Sequence, residues 1–434
     1  MPTWQPEPRP AWVEAVNAGD VYPIAEVAAR PLTRDALLAE ARATLGLVGT
    51  GTDGFGGGGT DGFGGGGSGD DFVEPLDVLL DALEREAELT VVGRWLTRRF
   101  LLRLLEVRAH TVAYVRADPG VRDEVIAAPV FVAGAPRTGT TILHALVAQD
   151  PRFRVPEGWE LLRPVPPVAP TAFPDPGRVA LADRELRGMA SVTSRLDTIH
   201  AYSGRMHKEC VSSMSFVFRS EEFTARYHVP SYVKWLADCD MTPAYEWHRL
   251  VLQVLQRRWR DVHWALKSPV HLHSLTTLRA VFPDARVVIT HRDPLAVLGS
   301  VTSLVATLRW AHSDTVDLTE LGRYHADLYH GTLDRLVDLD ERGALAGAPV
   351  VHTRYDAFLE DPVRVLRDVY DGIGVALPVD TEAAMRAHLD AHPQGALGGH
   401  AWSFDDLGLD PVAERARFAR YQARFDVPDE VPVS

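Results

Sequence analysis

The sequence predicts an α/β protein in which a parallel sheet is flanked by helices and preceded by an N-terminal helical extension. Three observations predict it. From Pro129 onward, short β-branched runs alternate with helical stretches, the pattern of a parallel sheet covered on both faces. The first of these runs, Val130, Phe131 and Val132, leads through a glycine-containing loop straight into a helix. Before it, residues 71–128 place apolar side chains at three- and four-residue spacing, with no strand pattern.

Residues 1–49 form a first segment, helical over Asp35–Leu45. Residues 50–70 contain TDGFGGGG twice in tandem, Thr52–Gly59 and Thr60–Gly67. Glycine this dense cannot offset its ordering entropy, so a flexible linker is expected. It has neither the strand nor the helix that a phosphate-binding glycine loop needs on its flanks. The extension over 71–128 is predicted helical through Leu76–Arg116 and ends at Asp118-Pro119-Gly120. The main domain runs over 129–434, with strands expected at Pro129–Ala133, His263–Leu266, Arg286–Thr290 and Pro349–Thr353, and with an insert at about 160–245 for an acceptor molecule.

Composition removes several functions. With 434 residues, 46% of them hydrophobic, the chain can bury a sizeable core. A net charge of −14 argues against a nucleic-acid footprint, although a local anion site depends only on local donors. Two cysteines, Cys210 and Cys239, make no disulfide framework, so a reducing, cytoplasmic setting is expected. There is no basic-then-apolar N-terminus and no run long enough for a transmembrane span. Only Lys208, Lys234 and Lys267 are lysines among 45 basic residues, which singles out each as a position where arginine does not serve.

The strongest signal is Gly134-Ala135-Pro136-Arg137-Thr138-Gly139-Thr140-Thr141 between strand and helix. A helix N-terminus there offers unpaired N–H groups and partial positive charge to an anion. Gly134, Gly139 and Thr141 match the spacing of the ATP/GTP loop, but Thr140 stands where that loop has its lysine. A triphosphate loses its main cation here, and no clear metal-binding aspartate follows an apolar run, so magnesium is not implied.

Arg137-Thr138-Gly139-Thr140-Thr141 resembles the 5′-phosphosulfate loop of the sulfotransferases that use PAPS, the 3′-phosphorylated adenine nucleotide carrying a 5′-phosphosulfate. A second match is the strand Ala285–Thr290 running into Arg292, with Ser300 eight residues later; in that family the pair reads the 3′-phosphate. Arginine suits this because its guanidinium presents a fixed fork of donors. His352-Thr353-Arg354-Tyr355-Asp356 is similar to the strand whose tyrosine lies near the nucleotide, and Asp406-Leu407-Gly408-Leu409-Asp410 to a C-terminal segment of bacterial members. The resemblance covers about Asp71 to the C-terminus. It implies the P-loop-like sulfotransferase fold, PAPS as co-substrate and no metal. One departure stands out. Pro393–His400 carries no lysine or arginine where the family completes its 3′-phosphate site, which leaves backbone N–H groups and His400.

Sulfuryl transfer needs an in-line acceptor oxygen, donors for the leaving phosphate and a base for the acceptor proton. The resemblance assigns the leaving side to Lys267, at a strand end in Trp264-Ala265-Leu266-Lys267, together with Arg137. Three bases are open: Glu160, in the connection after the first helix; His271, four residues beyond Lys267; and Glu209, in His207-Lys208-Glu209-Cys210. For the acceptor, Pro164–Pro176 reads as a stiff lid. Tyr202, Met206, Met214, Phe216, Phe218, Phe223, Tyr227, Tyr232 and Trp235 read as either helical core or an apolar pocket for a small alcohol, phenol or lipid. The rival functions are an ATP-dependent phosphotransferase and a non-catalytic nucleotide-binding protein.

Overall fold

A computed structural model describes residues 4–19, 23–46, 71–193, 203–392 and 402–433. The glycine repeats, Tyr202 and Pro393–His400 lie outside the described residues. Five parallel strands form one sheet: β1 Val130–Gly134, β2 Phe153–Arg154, β3 His263–Lys267, β4 Arg286–His291 and β5 Val350–Arg354, in the order β2-β3-β1-β4-β5. The four expected strands are there. The fifth, β2, is a two-residue edge strand that pairs Phe153 with His263.

β1 is buried along its whole length, and its side chains alternate between two cores. Val130 and Val132 pack with Leu143, Leu146, Tyr370 and Met385 on one face. Phe131 and Ala133 join the larger core with Leu266, Val287 and Ile289 on the other. The register sets Val132 opposite Lys267 and Gly134 opposite Thr290. The ends of β1, β3 and β4 therefore open at one level, which is where ligands bind in open parallel sheets.

The N-terminal helices close over this body. Helix Val91–Ala117 is capped by Thr90, whose hydroxyl accepts from Gly93 N at 3.0 Å; such caps contribute ~1 kcal/mol. Arg108 on this helix is buried between Phe72 and Trp247 and pairs with Asp71 at 2.5 Å. Helix Arg34–Thr44 packs on the same helix, with Arg98 bonded to Glu40 at 2.5 Å. The indole of Trp4 donates to Thr307 at 3.1 Å. Among the described residues no helix is long and apolar enough to cross a membrane.

Candidate active site

The loop after β1 is built to hold its backbone open. Arg137 and Gly139 both have left-handed φ, at 70° and 88°, and helix Thr140–Val147 starts immediately after. A non-glycine residue held there costs of order 1–3 kcal/mol, strain typical of ligand-binding loops. A Cβ on Gly139 would lie 3.0 Å from the Tyr355 ring, so glycine is needed for the close approach as well as for φ. Thr138 is buried, and its hydroxyl donates to Ala135 O at 2.7 Å and meets Thr290 Oγ1 at 2.6 Å. Its role is to fasten the loop to β4. Thr140 is buried too, whereas Thr141 is exposed and turns towards β3.

Lys267 ends β3 with only 3% of its side chain exposed. Its Nζ donates to Thr141 Oγ1 at 3.1 Å and to Glu209 Oε1 at 2.5 Å. Backbone pairing fixes Glu209 in place, since Cys210 N donates to Lys267 O at 3.1 Å and Lys208 N to Pro156 O at 2.9 Å. Beside this triad opens a cavity of about 240 Å³ lined by Thr141, Lys267 and Glu209. His207 lines it as well, and burial pulls that imidazole below its usual pKa.

The other two candidate bases lie elsewhere. Glu160 is buried in a capping box, where it accepts from Glu157 N at 3.1 Å and is bonded to Arg154. Arg154 in turn stacks on Trp259 and Trp264. Glu160 is thus held by a structural ion pair away from the cavity lining. His271 is carried inward by the short helical turn Pro269–His273, donating to or accepting from Tyr245 at 3.0 Å with Phe131 5.0 Å from its ring. Burial holds it well below its ordinary pKa, and it does not reach the cavity.

Arg292 leaves the end of β4 beside the loop, as the spacing predicts. Its Nη1 donates to Arg137 O at 2.7 Å, and its guanidinium lies over Tyr355, 4.2 Å from the ring centroid. Its Nε and Nη2 grip the Glu430 carboxylate at 2.8–3.0 Å. That contact is set by Asp293, which caps helix Pro294–Trp310, pairs with Arg415 at 2.6 Å and accepts from Glu430 N and Val431 N at 2.7 and 2.9 Å. Ser300 sits on the second turn of that helix, 8% exposed. Next to it, Gly299 makes room for Trp402, whose ring a Cβ would meet at 2.0 Å. Burial and the nearby Arg292 both pull the Arg137 guanidinium below its usual pKa.

Sequence reasoning and structure part over the acceptor side. The proline segment packs at Trp159 and Trp259 through Phe173, not over the cavity, so it is no lid. Met214, Phe216, Phe218, Phe223, Tyr227 and Tyr232 are buried core. Of the predicted set, Met206 lines the cavity. The apolar wall comes instead from Val301, Leu304, Val305 and Leu308 on helix Pro294–Trp310, and from Tyr324, Leu328 and Tyr329 on helix Leu318–Glu341. Helix Pro294–Trp310 is apolar on nearly every face, so no stripe marked the one that faces a ligand.

The family model described as the sulfotransferase family matches residues 129–379, more than half of the chain, and the protein belongs to that family. An omega-hydroxy-beta-dihydromenaquinone-9 sulfotransferase of Mycobacterium bovis is 29% identical over 270 residues; the match spans 59% of this chain and 65% of that relative. Less than two thirds of the curated relative's length is thus represented. Among solved structures, sulfotransferase STF9 from Mycobacterium avium is 28% identical with a TM-score of 0.78, over 92% of this chain and 98% of its own. Sulfotransferase STF1 from Mycobacterium tuberculosis is 29% identical with a TM-score of 0.75, over 89% and 98%.

Proposed function

We propose that the protein transfers the sulfuryl group of PAPS to a hydroxyl of a largely apolar, lipid-like small molecule, with Glu209 as the base. The observation that carries this is the contact chain Thr141–Lys267–Glu209, which joins the phosphate loop to the acceptor cavity through one lysine. The Arg137, Gly139 and Thr141 backbone would cradle the 5′-phosphosulfate, and Arg292, with Ser300 and Tyr355, the 3′-phosphate. The residues fit such a ligand, because Arg292 already holds a carboxylate with two of its nitrogens.

In the reaction, the acceptor oxygen bonds to sulfur as the bond from sulfur to the 5′-phosphate oxygen breaks. Glu209 takes the acceptor proton. Negative charge moves to the leaving phosphate, where Lys267, Arg137 and the loop N–H groups meet it; fixed donors of this kind are often the largest catalytic contribution. The apolar cavity walls and the mycobacterial relative, named for a hydroxylated menaquinone derivative, support the acceptor class. The unpaired Cys210 and Cys239 support residence in the reducing cytoplasm. A phosphotransferase is disfavoured by Thr140 in place of the loop lysine.

Calorimetric titration without magnesium tests the reading. Adenosine 3′,5′-bisphosphate should bind more tightly than AMP or ATP, and Arg292→Ala should remove the preference. Equal or tighter binding of ATP would overturn it.

A further inference from the structure

A second cavity of about 300 Å³ lies beside the acceptor cavity. The two share Leu186, Lys208, Glu222 and Arg226 in their linings, so they adjoin. Lys208 follows His207 and precedes Glu209, so the segment that supplies the proposed base also contributes to the shared lining. Inside the second cavity the charges do not balance. Arg99, Arg103, Arg163, Arg184, Lys208 and Arg226 face three acids, Glu106, Glu185 and Glu222.

Two of those acids are already committed. Glu185 pairs with Arg163, and Glu222 with Arg226 at 2.6 Å. Arg103 pairs with no carboxylate among the described residues. Its Nη1 reaches only Leu162 O at 3.5 Å, and its guanidinium lies 5.2 Å from the Phe100 centroid. Burial pulls its pKa down to about 10, partly offset by the nearby Glu185 and Glu222 carboxylates, with smaller repulsion from Arg163 and Arg226. Six cations facing three acids leave positive charge in excess, and an anion delivered there would be held by charge-assisted hydrogen bonds. Arg99 and Arg184, both exposed, stand on the same cavity and add positive potential there.

We propose that this cavity is an anion subsite of the acceptor site, taking a carboxylate or phosphate group that the acceptor carries besides the hydroxyl presented to Glu209. The inference rests on the sulfotransferase reading above and narrows it: the acceptor is an amphiphile with an apolar body and one anionic group.

The test is calorimetric titration of the full chain with decanoate and with 1-decanol, the two probes differing in charge. Decanoate should bind at least tenfold more tightly. Arg103→Met should abolish that preference and leave 1-decanol affinity unchanged, while Arg103→Lys should keep much of it. Equal affinities in the native protein, or a preference that survives Arg103→Met, would overturn the proposal. If Arg103→Met does not fold, the salt dependence of the native protein decides. The decanoate preference must fall between low and high salt, and a preference indifferent to salt counts against the subsite. Adenosine 3′,5′-bisphosphate, titrated separately, reports on the donor site, so failure of the sulfotransferase reading is seen independently of the decanoate result.

Discussion

Nζ of Lys267 lies 2.5 Å from Oε1 of Glu209, so the lysine that ends β3 and the carboxylate that lines the cavity are in direct contact. Lys267→Ala and Glu209→Gln should therefore behave differently in detail but alike in outcome. A positioned base contributes ~10²–10⁴ in rate. Glu209→Gln should lower kcat by that order while adenosine 3′,5′-bisphosphate affinity stays within about twofold. A Glu209→Gln enzyme with native kcat would remove Glu209 as the base.

Glu160→Gln should act on stability rather than on chemistry. It leaves the Arg154 guanidinium buried without its anion, a change that costs about 3–5 kcal/mol in comparable pairs. The expected reading is a lower denaturant midpoint, with kcat of the folded fraction preserved. Loss of turnover without loss of stability would contradict the placement of Glu160 outside the site.

Glu430 holds the nitrogens of Arg292 that the nucleotide's 3′-phosphate would need. Glu430→Gln should tighten adenosine 3′,5′-bisphosphate binding by severalfold, and Arg292→Ala should weaken it by tenfold or more. Titration of AMP is the control, because its affinity should not respond to Glu430→Gln. An unchanged bisphosphate affinity in Glu430→Gln would mean that the two anions do not compete.

Glu221 lines the acceptor cavity, facing His273 Nε2 at 3.4 Å and sharing the wall with Tyr324 and Tyr329. Burial pushes its carboxyl up to about 8 from an ordinary 4.5, while His273 is held down at about 4 and stays neutral. Between those two carboxyl values Glu221 keeps a proton in the folded chain that it loses in the unfolded one. Its contribution to stability therefore declines as pH rises from about 4.5 to about 8, while the His273 shift acts in the opposite sense below about 6.5. Glu221→Gln should flatten this decline, seen as a denaturant midpoint that drops less than the native one between about pH 6 and about pH 9. Parallel curves would sink the assignment.

The loop after β1 and the end of β4 were legible because their residues are local. Arg137 to Thr141 form one turn between a strand and a helix, and Arg292 directly follows β4, so spacing alone locates them. The proposed base was not, because what separates Glu209 from Glu160 is tertiary. Glu157 and Glu160 form a capping box with Arg154 beside two tryptophans, while Glu209 is held by the backbone of a strand more than fifty residues later. His271 sits in the short helical turn Pro269–His273, which buries it against Tyr245 and Phe131. The acceptor wall was hidden by composition, since an all-apolar helix gives no contrast from which to read a face. β2 escaped notice because two residues carry no period.

Thr138 and Thr290 meet at 2.6 Å, and Arg292 donates to Arg137 O at 2.7 Å. These two struts cross from the loop after β1 to the end of β4, which are already neighbours in the sheet. The sites proposed for the two phosphates would thereby be parts of a single rigid ruler. A nucleotide whose two anions are spaced differently can satisfy one end only, because neither end can slide to meet it. Selection of the donor would then rest on length as much as on charge, and loosening either strut would broaden what the protein accepts before it weakened what it binds.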